Sequence, residues 1–322
     1  AENEIRELAD LMQIPVITTM MGISVFPDDD QLFCGMIGTH GVKMANAAVN
    51  ECDVLFLVGA RVGDRAVKTP LALEKTTKII HIDIDPAEIG KNIGADLPLV
   101  GDAKLVLQQM TELAKPMKHD EWIAHIKTLG GERKYVEPAK GTVNPRVFID
   151  RLAKKMPANV TVVADVGQNQ IWTCTEYKFR KEGRLLTSGG MGTMGYSVPA
   201  AIGAKMADDS RATVAICGDG AFQMSFMELA TAVQFGVDIK VVVMTNNRLG
   251  MVRELQTNGY HDRQTAVFLD GSPDFIKLAE AYGIPAMRVY DDDTMEKGVE
   301  MLAEHKGICL VEVVVDKDMP TL

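Results

Sequence analysis

The chain has 322 residues, 47% of them hydrophobic, and is long enough for about two globular domains with separate cores. Its 34 Lys and Arg residues against 44 Asp and Glu residues give a net charge of -10, which argues against nucleic acid or an anionic membrane surface as a partner. No apolar stretch reaches the roughly 20 residues of a membrane-spanning helix, and we expect no signal peptide. The five cysteines are scattered, odd in number and without a C-x-x-C pair, which predicts reduced thiols and a cytoplasmic location.

The first third of the chain alternates helical and strand-like patterns. Residues 1–13 place Ile5, Leu8 and Leu11 on one face, which predicts a helix, and IPVITT follows as a buried strand. Two further runs, CDVLFLVGA and TTKIIHIDID, are largely apolar and end near Gly or Asp, as is typical of parallel strands covered on both faces. Short helices are predicted at NAAVNE and PAEIGKN.

A stretch from about residue 115 to 145 is rich in Pro, Gly and charge, which predicts a linker between two domains. We therefore expect a first domain over residues 1–118, a linker over 119–144 and a second domain over 145–322. The second domain has five apolar strands, at VTVVAD, RLLTS, TVAIC, IKVVVMT and GICLVEVVVD. Its helices are predicted over residues 145–156, 196–207, 221–235, 274–283 and 292–305. The fold class that follows is α/β, with two doubly wound parallel-sheet domains.

Two polar residues in the second domain have an informative spacing. Asp219, between two glycines, ends one apolar strand, and Asn246 ends the next strand 27 residues later. A right-handed parallel crossover brings both side chains to the same carboxyl edge of a sheet. Two hard oxygen ligands at that edge predict a divalent cation that holds a phosphorylated cofactor. Gly218 and Gly220 would let the backbone approach this ligand, and Gly250 would turn the chain back towards it.

A second glycine pattern offers a different interpretation. The segment GMGTMG over residues 190–195 fits G-x-G-x-x-G between a predicted strand and a predicted helix, as in a Rossmann dinucleotide site. Asp219 falls roughly where the ribose-binding acid of such a site is expected. This interpretation leaves Asn246 and the glycines around Asp219 unexplained, so we prefer the cation site.

The motifs around Asp219 and Asn246 together resemble the signature of thiamine diphosphate (ThDP) enzymes, a G-D-G followed after about 25 residues by an asparagine pair. The resemblance implies that Asp219, the Asn246 side chain and the main-chain carbonyl of Arg248 bind a Mg²⁺ ion that bridges the cofactor's diphosphate. Thr245 stands at the place of the usual first asparagine, so Asn247 is an alternative ligand. We favour Asn246.

Two further segments resemble one particular family of ThDP enzymes. TSGGMGTMGYSVPAAIGAK resembles the cofactor-binding segment of acetolactate (acetohydroxyacid) synthases, whose G-T-M-G methionine supports the bent cofactor, so Met194 is expected to act in catalysis. An ordinary core methionine is the alternative role. ADVGQNQIW resembles the family's D-V-G-Q-H segment around the diphosphate, with Asn169 in place of His and still able to donate a hydrogen bond. The resemblance assigns thirteen residues to ThDP: Gly167, Gln168, Asn169, Gly192, Met194, Gly218, Asp219, Gly220, Ala221, Asn246, Arg248, Gly250 and Met251.

The first domain resembles the central domain of the same synthases, which binds FAD in many members. The residues that this resemblance assigns to FAD are Gly38, His40, Gly41, Gly59, Arg61, Asp83, Ile84 and Asp102. Strand ends carrying Gly and Asp suit a dinucleotide, although Asp83 and Asp102 could equally be turn residues. In RVGDR, Arg65 matches the family arginine that holds the carboxylate of the second 2-oxo acid, and is expected to act in catalysis.

The resemblance implies decarboxylation of pyruvate and carboligation to a second 2-oxo acid, giving 2-acetolactate in branched-chain amino acid synthesis. It also implies a homodimer or larger assembly and a small regulatory subunit. The family's N-terminal domain, which carries the glutamate that activates the cofactor, has no counterpart in this sequence, so we expect this chain to be inactive alone. Two alternatives stay open: a non-catalytic ThDP- or FAD-binding module, and a ThDP-dependent 2-oxo acid decarboxylase or carboligase with another substrate. The acceptor preference is also open, between pyruvate and 2-oxobutyrate.

Overall fold

The computed structural model describes residues 1–131 and 135–322. The chain divides into two units, Ala1–Arg133 and Lys134–Leu322. The division falls inside the predicted linker 119–144, of which residues 132–134 lie outside the described residues. The limits given above for the two domains stay a prediction.

Helices and parallel strands alternate in the first unit. Its helices are α1 (Glu2–Met12), α2 (Lys43–Glu51), α3 (Pro70–Leu73), α4 (Ala103–Leu113) and α5 (Asp120–Thr128). Its strands are β1 (Val16–Thr18), β2 (Phe33–Met36), β3 (Val54–Val58), β4 (Lys78–Asp83) and β5 (Leu97–Val100). β1 pairs with β2, while β3, β4 and β5 form a second sheet in that order, and all of these pairings are parallel.

Helix α1 packs across both sheets of the first unit. Its Ala9 packs with Val16 of β1, and its Leu8 packs with Ile82 of β4. β3 lies at the end of its sheet within the part of the chain that the structure describes, and none of its five apolar residues is fully buried. This strand therefore has a partly exposed apolar edge.

Helix α5 lies in the segment predicted as a linker. Its Ile126 is buried and packs with Cys34 of β2 and Ala48 of α2. Residues 120–128 therefore pack onto the core of the first unit, although their composition predicts a connecting segment.

The second unit is also built from alternating helices and strands. Its helices are α6 (Pro145–Lys155), α7 (Gln168–Glu176), α8 (Ser197–Ala207), α9 (Asp219–Gln223), α10 (Leu229–Gln234), α11 (Gly250–Gly259), α12 (Phe275–Ala281) and α13 (Asp292–Glu304). Its strands are β6 (Thr161–Ala164), β7 (Arg184–Thr187), β8 (Thr213–Gly218), β9 (Lys240–Thr245), β10 (Ala286–Val289) and β11 (Cys309–Val314).

The six strands of the second unit form one parallel sheet in the order β10-β11-β9-β8-β6-β7. Side chains on one face, such as Ala215 and Val241, pack with α8, α10 and α12. Their neighbours in sequence, Ile216 and Val242, point to the opposite face and are fully buried as well. Helices α7 and α13 contact the sheet, and α6 packs on both of them. Both faces are covered, which explains why these strands are apolar throughout.

The strand order reverses beside β6. The chain goes from β6 outwards to β7, and then returns to place β8 on the other side of β6. In parallel sheets of this kind, a crevice forms at the carboxyl ends of the two strands that flank the reversal. The topology therefore predicts a binding crevice among the residues that follow β6 and β8.

The predicted α/β class with parallel sheets is confirmed. Several details differ from the sequence prediction. The helix predicted over 221–235 is divided into α9, a 3-10 helix at Phe226–Glu228, and α10, with a break at Ser225. PAEIGKN forms turns instead of a helix, because Asp85 accepts a hydrogen bond from the Ala87 N–H and Gly90 adopts a positive φ. Several elements were not predicted, among them α4, α7, α11, β2, β5 and β10. None of the described helices is long and apolar enough to cross a membrane.

Candidate functional site

A cavity opens at the carboxyl edge of the second sheet, where the strand order reverses. Its wall includes every residue predicted to bind ThDP except Gly192. Five further residues line it: Val166, Trp172, Met244, Leu249 and Val252. The residues come from the ends of β6, β8 and β9 and from the first turns of α7, α9 and α11. The topology thus brings together motifs that are far apart in the sequence.

Asp219 directly follows β8 and is 1% exposed. Its Oδ1 accepts a hydrogen bond from the Gly220 N–H at 2.8 Å. Its Oδ2 accepts from the main-chain N–H of Asn246 at 3.1 Å and of Asn247 at 2.7 Å. Burial raises the pKa of the Asp219 carboxyl to about 6, and the three N–H groups oppose this rise. A cation bound beside this carboxylate would favour its ionised form.

The two adjacent asparagines have different positions at the end of β9. Asn246 lines the cavity, and its Oδ1 accepts a hydrogen bond from the Arg248 N–H at 3.0 Å, which leaves a second lone pair on this oxygen. Asn247 is exposed, has a φ of 54° and reaches Asp219 through its main-chain N–H. The arrangement favours Asn246 over Asn247 as a cation ligand.

The Arg248 side chain is held by three neighbouring groups. Its guanidinium Nη1 donates to the Asn247 carbonyl at 2.7 Å and to Asp270 at 2.8 Å, and the group lies 4.6 Å from the ring centre of Phe268. These contacts hold the guanidinium group against Asp270 and Phe268, and the residue lines the cavity. The structure is therefore compatible with the predicted role of its carbonyl oxygen.

Gln168, the first residue of α7, connects several parts of the site. Its Oε1 accepts from the Asn246 amide at 3.3 Å, and its Nε2 donates to the Met319 carbonyl at 2.9 Å. A Cβ atom at Gly250 would lie 1.9 Å from this Oε1, so any other residue at the start of α11 would displace the Gln168 side chain. Gln168 thus orients Asn246, and Gly250 leaves the space that Gln168 occupies.

Asn169 lines the cavity but uses its amide hydrogens elsewhere. Its Nδ2 donates to the main-chain carbonyls of Asp165 at 2.8 Å and Ile216 at 3.2 Å. These carbonyls lie at the ends of β6 and β8, so the side chain holds the two strand ends together. In this conformation both amide hydrogens have protein acceptors, and a hydrogen bond from Asn169 to a phosphate stays a prediction.

The position of Met194 is compatible with both of the roles considered above, and its role in catalysis stays a prediction. It lines the cavity, and it also packs against the apolar core of the second unit. Its Cε lies 3.4 Å from the position that a Cβ atom would take at Gly220. Gly192 does not line the cavity: it is exposed, and its N–H donates to the Ser188 carbonyl at 3.0 Å. Its predicted cofactor contact has no geometric support.

Asp165 supports the site from outside the cavity wall, and the sequence prediction missed it. It follows β6 and is completely buried. Its Oδ1 accepts from the N–H groups of Val166 at 2.8 Å and Gly195 at 3.0 Å, and its Oδ2 accepts from the Ser197 N–H at 2.8 Å. Gly195 and Ser197 lie at the start of α8, where a Rossmann site would bind the phosphates of a dinucleotide. Because a carboxylate occupies this helix end, the Rossmann interpretation of residues 190–195 is wrong.

The residues predicted to bind FAD lie after four strands of the first unit. Gly59 and Arg61 follow β3, Asp83 and Ile84 lie at the end of β4, and Asp102 follows β5, so these five share one edge of the three-stranded sheet. Gly38, His40 and Gly41 lie between β2 and α2.

The loop after β2 packs closely on the loop after β3. The Thr39 N–H donates to the Arg65 carbonyl at 2.9 Å, and a Cβ atom at Gly38 would lie 2.4 Å from this oxygen. Arg65 is exposed at this position. Its expected contact with a substrate carboxylate stays a prediction.

The two acids of the predicted FAD set have local structural roles. Asp83 Oδ1 accepts from the Asp85 N–H at 2.9 Å, within a turn. Asp102 is the N-cap of α4, where its Oδ1 accepts from the Leu105 N–H at 3.2 Å. These contacts agree with the alternative that both are turn or cap residues, and FAD binding stays a prediction.

The donor set of the second unit is compatible with a hard divalent cation. It combines one carboxylate, one amide oxygen and one main-chain carbonyl, which are ligands that Mg²⁺ accepts. The described residues contain no cluster of three or more His, Cys, Asp or Glu side chains suited to a metal ion. A cation at Asp219 would therefore take further oxygens from water or a bound phosphate, as Mg²⁺ commonly does.

Comparison with known proteins places both units in one family. The central-domain model of thiamine pyrophosphate enzymes matches residues 1–110, and the model of their C-terminal TPP binding domain matches residues 165–313.

Curated proteins match nearly the whole chain. The chain is 40% identical to the probable acetolactate synthase large subunit of Methanocaldococcus jannaschii, over 98% of this chain and 55% of that protein. It is 36% identical to the acetolactate synthase large subunit of Lactococcus lactis, over 97% and 54% of the two chains. It is 39% identical to the acetolactate synthase of Arthrospira platensis, over 99% and 56%. The chain therefore spans about half the length of the curated relatives it matches.

Proposed function

Because this chain belongs to the thiamine pyrophosphate enzyme family and is homologous to acetolactate synthase large subunits, we propose that its second unit binds ThDP through Mg²⁺. The parent enzyme would decarboxylate pyruvate and join the remaining two carbons to a second 2-oxo acid, giving 2-acetolactate. The observation that carries this proposal is the convergence of Asp219, Asn246 and Arg248 on one cavity.

The cation would bind to three oxygen atoms: Asp219 Oδ1, Asn246 Oδ1 and the Arg248 carbonyl. Each of the first two oxygens accepts one hydrogen bond from a neighbouring main-chain N–H group and keeps a second lone pair, so little reorganisation is needed. Gln168 holds the Asn246 amide from the other side. The ionised carboxylate that burial disfavours would be stabilised by the bound ion.

The diphosphate would lie against the first turns of two helices. α7 begins at Gln168 and α11 begins at Gly250, and both starting residues line the cavity. The first N–H groups of an α-helix have no acceptor within the helix and point towards its amino end, where they favour negative charge. These two helix ends and the cation together fit a diphosphate group.

ThDP supplies, when bound, a carbon nucleophile that can also accept the electron pair released on decarboxylation. The contribution of this chain is placement and electrostatics. Met194 would support the organic part of the cofactor from the cavity wall, and Leu249 and Val252 would exclude water beside it. Arg65 would bind the carboxylate of the second 2-oxo acid through its guanidinium group.

The first unit would bind FAD at the carboxyl edge of β3, β4 and β5. Support for this part comes from the matching central-domain model and from the position of Gly59, Asp83 and Asp102 along one edge. The relatives are named large subunits, so we also propose a smaller regulatory partner and assembly into at least a dimer. All five cysteines are free thiols, which supports a cytoplasmic location.

The synthase activity is tested on a full-length polypeptide. The chain would be joined to the part of the Methanocaldococcus jannaschii relative that lies outside the matched region, and supplied with ThDP, Mg²⁺ and pyruvate. We expect CO₂ release and formation of 2-acetolactate, both abolished by Asp219→Asn. Release of CO₂ without any carboligation product would favour the alternative of a 2-oxo acid decarboxylase. Absence of both products in a folded protein that binds ThDP would contradict the proposed activity and favour a non-catalytic module.

A further inference from the structure

We propose that Asp165 is a positioning residue that fixes Met194 against the organic part of the cofactor. The inference rests on the proposed function and extends it to a residue that touches neither the cation nor the diphosphate. Asp165 does not line the cavity, whereas Met194 does.

The geometry shows how one carboxylate holds the segment that carries Met194. Asp165 follows β6, and its two oxygens accept from the Gly195 N–H at 3.0 Å and the Ser197 N–H at 2.8 Å. These two donors lie one and three residues after Met194 in the sequence. The segment is therefore attached to the end of a central strand through two charge-assisted hydrogen bonds, which are about twice as strong as neutral ones.

The environment of the carboxylate supports a dedicated role. Asp165 is 0% exposed, and an isolated buried carboxylate is costly. Its charge is stabilised by three main-chain N–H groups, including that of Val166 at 2.8 Å, and by the amino end of α8. α8 would be capped equally well by a local Ser, Thr or Asn, which carries no buried charge. A non-local carboxylate additionally ties the helix to β6.

Further hydrogen bonds connect the end of β6 with the end of β8. The Asp165 carbonyl accepts from the Asn169 amide at 2.8 Å, and the same amide donates to the Ile216 carbonyl near the end of β8 at 3.2 Å. Asp219 follows that strand, and Met194 Cε lies beside its neighbour Gly220. The wall formed by Met194 and the cation site at Asp219 are therefore held in register through Asp165 and Asn169.

Asp165→Asn should affect the binding of the organic part of the cofactor more than the binding of its diphosphate. Asp165→Asn keeps the shape of the side chain but places an NH₂ group opposite main-chain N–H donors, so the Met194 segment loses its fixed position. We expect the affinity for ThDP in the presence of Mg²⁺ to fall by about tenfold to 100-fold. We expect the affinity for inorganic diphosphate with Mg²⁺ to change by less than about twofold, because this probe has no organic part.

Two control variants of the same 322-residue chain are titrated with the same two probes, ThDP and inorganic diphosphate. Asp291→Ala removes the N-cap of α13, far from the site in sequence. It should lower the free energy of unfolding and leave the ratio of the affinities for ThDP and inorganic diphosphate unchanged. Asp219→Asn should weaken both probes together, because it removes the cation ligand. If Asp165→Asn caused a general loss of structure, the affinities for ThDP and for inorganic diphosphate would fall together, as in Asp219→Asn.

Selective loss of ThDP affinity in Asp165→Asn supports the inference, and equal loss of both affinities or no loss contradicts it. A wild-type protein that binds neither probe would contradict the proposed function, and this inference with it. If Asp165→Asn does not fold, hydrogen exchange in the wild-type protein gives a second test. The Gly195 and Ser197 amides should be protected without cofactor, and exchange as fast as in an exposed loop would contradict the inference.

Discussion

The carboxylate of Asp219 accepts a hydrogen bond from the main-chain N–H of Asn246 at 3.1 Å, although 27 residues separate the two in sequence. The contact is possible because β8 and β9 are adjacent and parallel, with Gly218 opposite Met244. It fixes the distance between the only carboxylate and the only side-chain amide of the proposed cation ligands. The proposed cation site is thus a consequence of strand register.

The first prediction concerns the charge of Asp219. Asp219→Asn keeps an oxygen near the Asn246 and Asn247 N–H groups but removes the negative charge, so Mg²⁺-dependent ThDP affinity should fall by at least about 100-fold. Trp172 lines the cavity, and a Trp122→Phe background leaves it as the sole fluorescent tryptophan. Its quenching by ThDP gives the dissociation constant. Asp208→Asn, the same chemical change on an exposed turn, should leave the affinity unchanged, and equal affinities in all three proteins would contradict the role of Asp219.

The second prediction concerns the start of α11. In Gly250→Ala the new Cβ atom would lie 1.9 Å from Gln168 Oε1, so Gln168 must move and its contact with Asn246 is lost. The free energy of unfolding in urea should fall by roughly 1–3 kcal/mol, and ThDP affinity should fall at least about tenfold. Gly259→Ala is the matched control at the other end of the helix, where a Cβ atom meets nothing within 4 Å. This control should be neutral or stabilising by up to about 1 kcal/mol. A Gly250→Ala protein as stable and as tightly binding as the control would refute this packing argument.

The third prediction concerns thiol reactivity and its pH dependence. Burial raises the pKa of Cys34 and Cys309 to about 11 and that of Cys174 to about 12. At pH 8 a thiol with a pKa near 11 is ionised in roughly one molecule in a thousand, and the thiolate is the reactive form. Alkylation of the native protein should therefore be slow and should accelerate as the pH rises towards 11. All five thiols should react quickly in denaturant, and rapid native labelling of Cys174 at pH 7 would be inconsistent with its burial.

The fourth prediction compares two strands by hydrogen exchange. β9 lies between β8 and β11, and all six of its residues are buried, whereas β3 ends its sheet in the described part of the chain and has no buried residue. Amides of β9 should exchange at least roughly tenfold more slowly than those of β3, because local opening costs less at a partly exposed edge. Equal protection in the two strands would show that the edge of β3 is covered in solution.

The sequence contains most of the information for the proposed cation site, because its proposed ligands follow long apolar strands. The run before Asp219 and the run before Asn246 each predict a buried parallel strand, and the crossover rule then brings their ends together. Asp165 follows the run VTVVA in the same way, which is the signal that could have identified it. Its partners Gly195 and Ser197 lie 30 and 32 residues away, and only the three-dimensional structure shows this pairing.

Other features could not be obtained from local patterns. Residues 286–289 form β10 in only four residues, two of them partly buried, so pairing with β11 decides their conformation. α7 and α11 begin with site residues of mixed polarity, which obscures a helical pattern. α5 is amphipathic within a segment of otherwise loop-like composition, and Ile126 is ordered by packing against Cys34 and Ala48. In each case tertiary contacts outweigh the local preference.

The central claim is that this chain binds ThDP through a divalent cation at Asp219 and Asn246. Calorimetric titration of the 322-residue protein with ThDP, in Mg²⁺ and again in EDTA, tests it most directly. We predict saturable binding of one ThDP per chain in Mg²⁺ and none in EDTA. Failure to bind in Mg²⁺, or the same affinity in EDTA, would contradict the account.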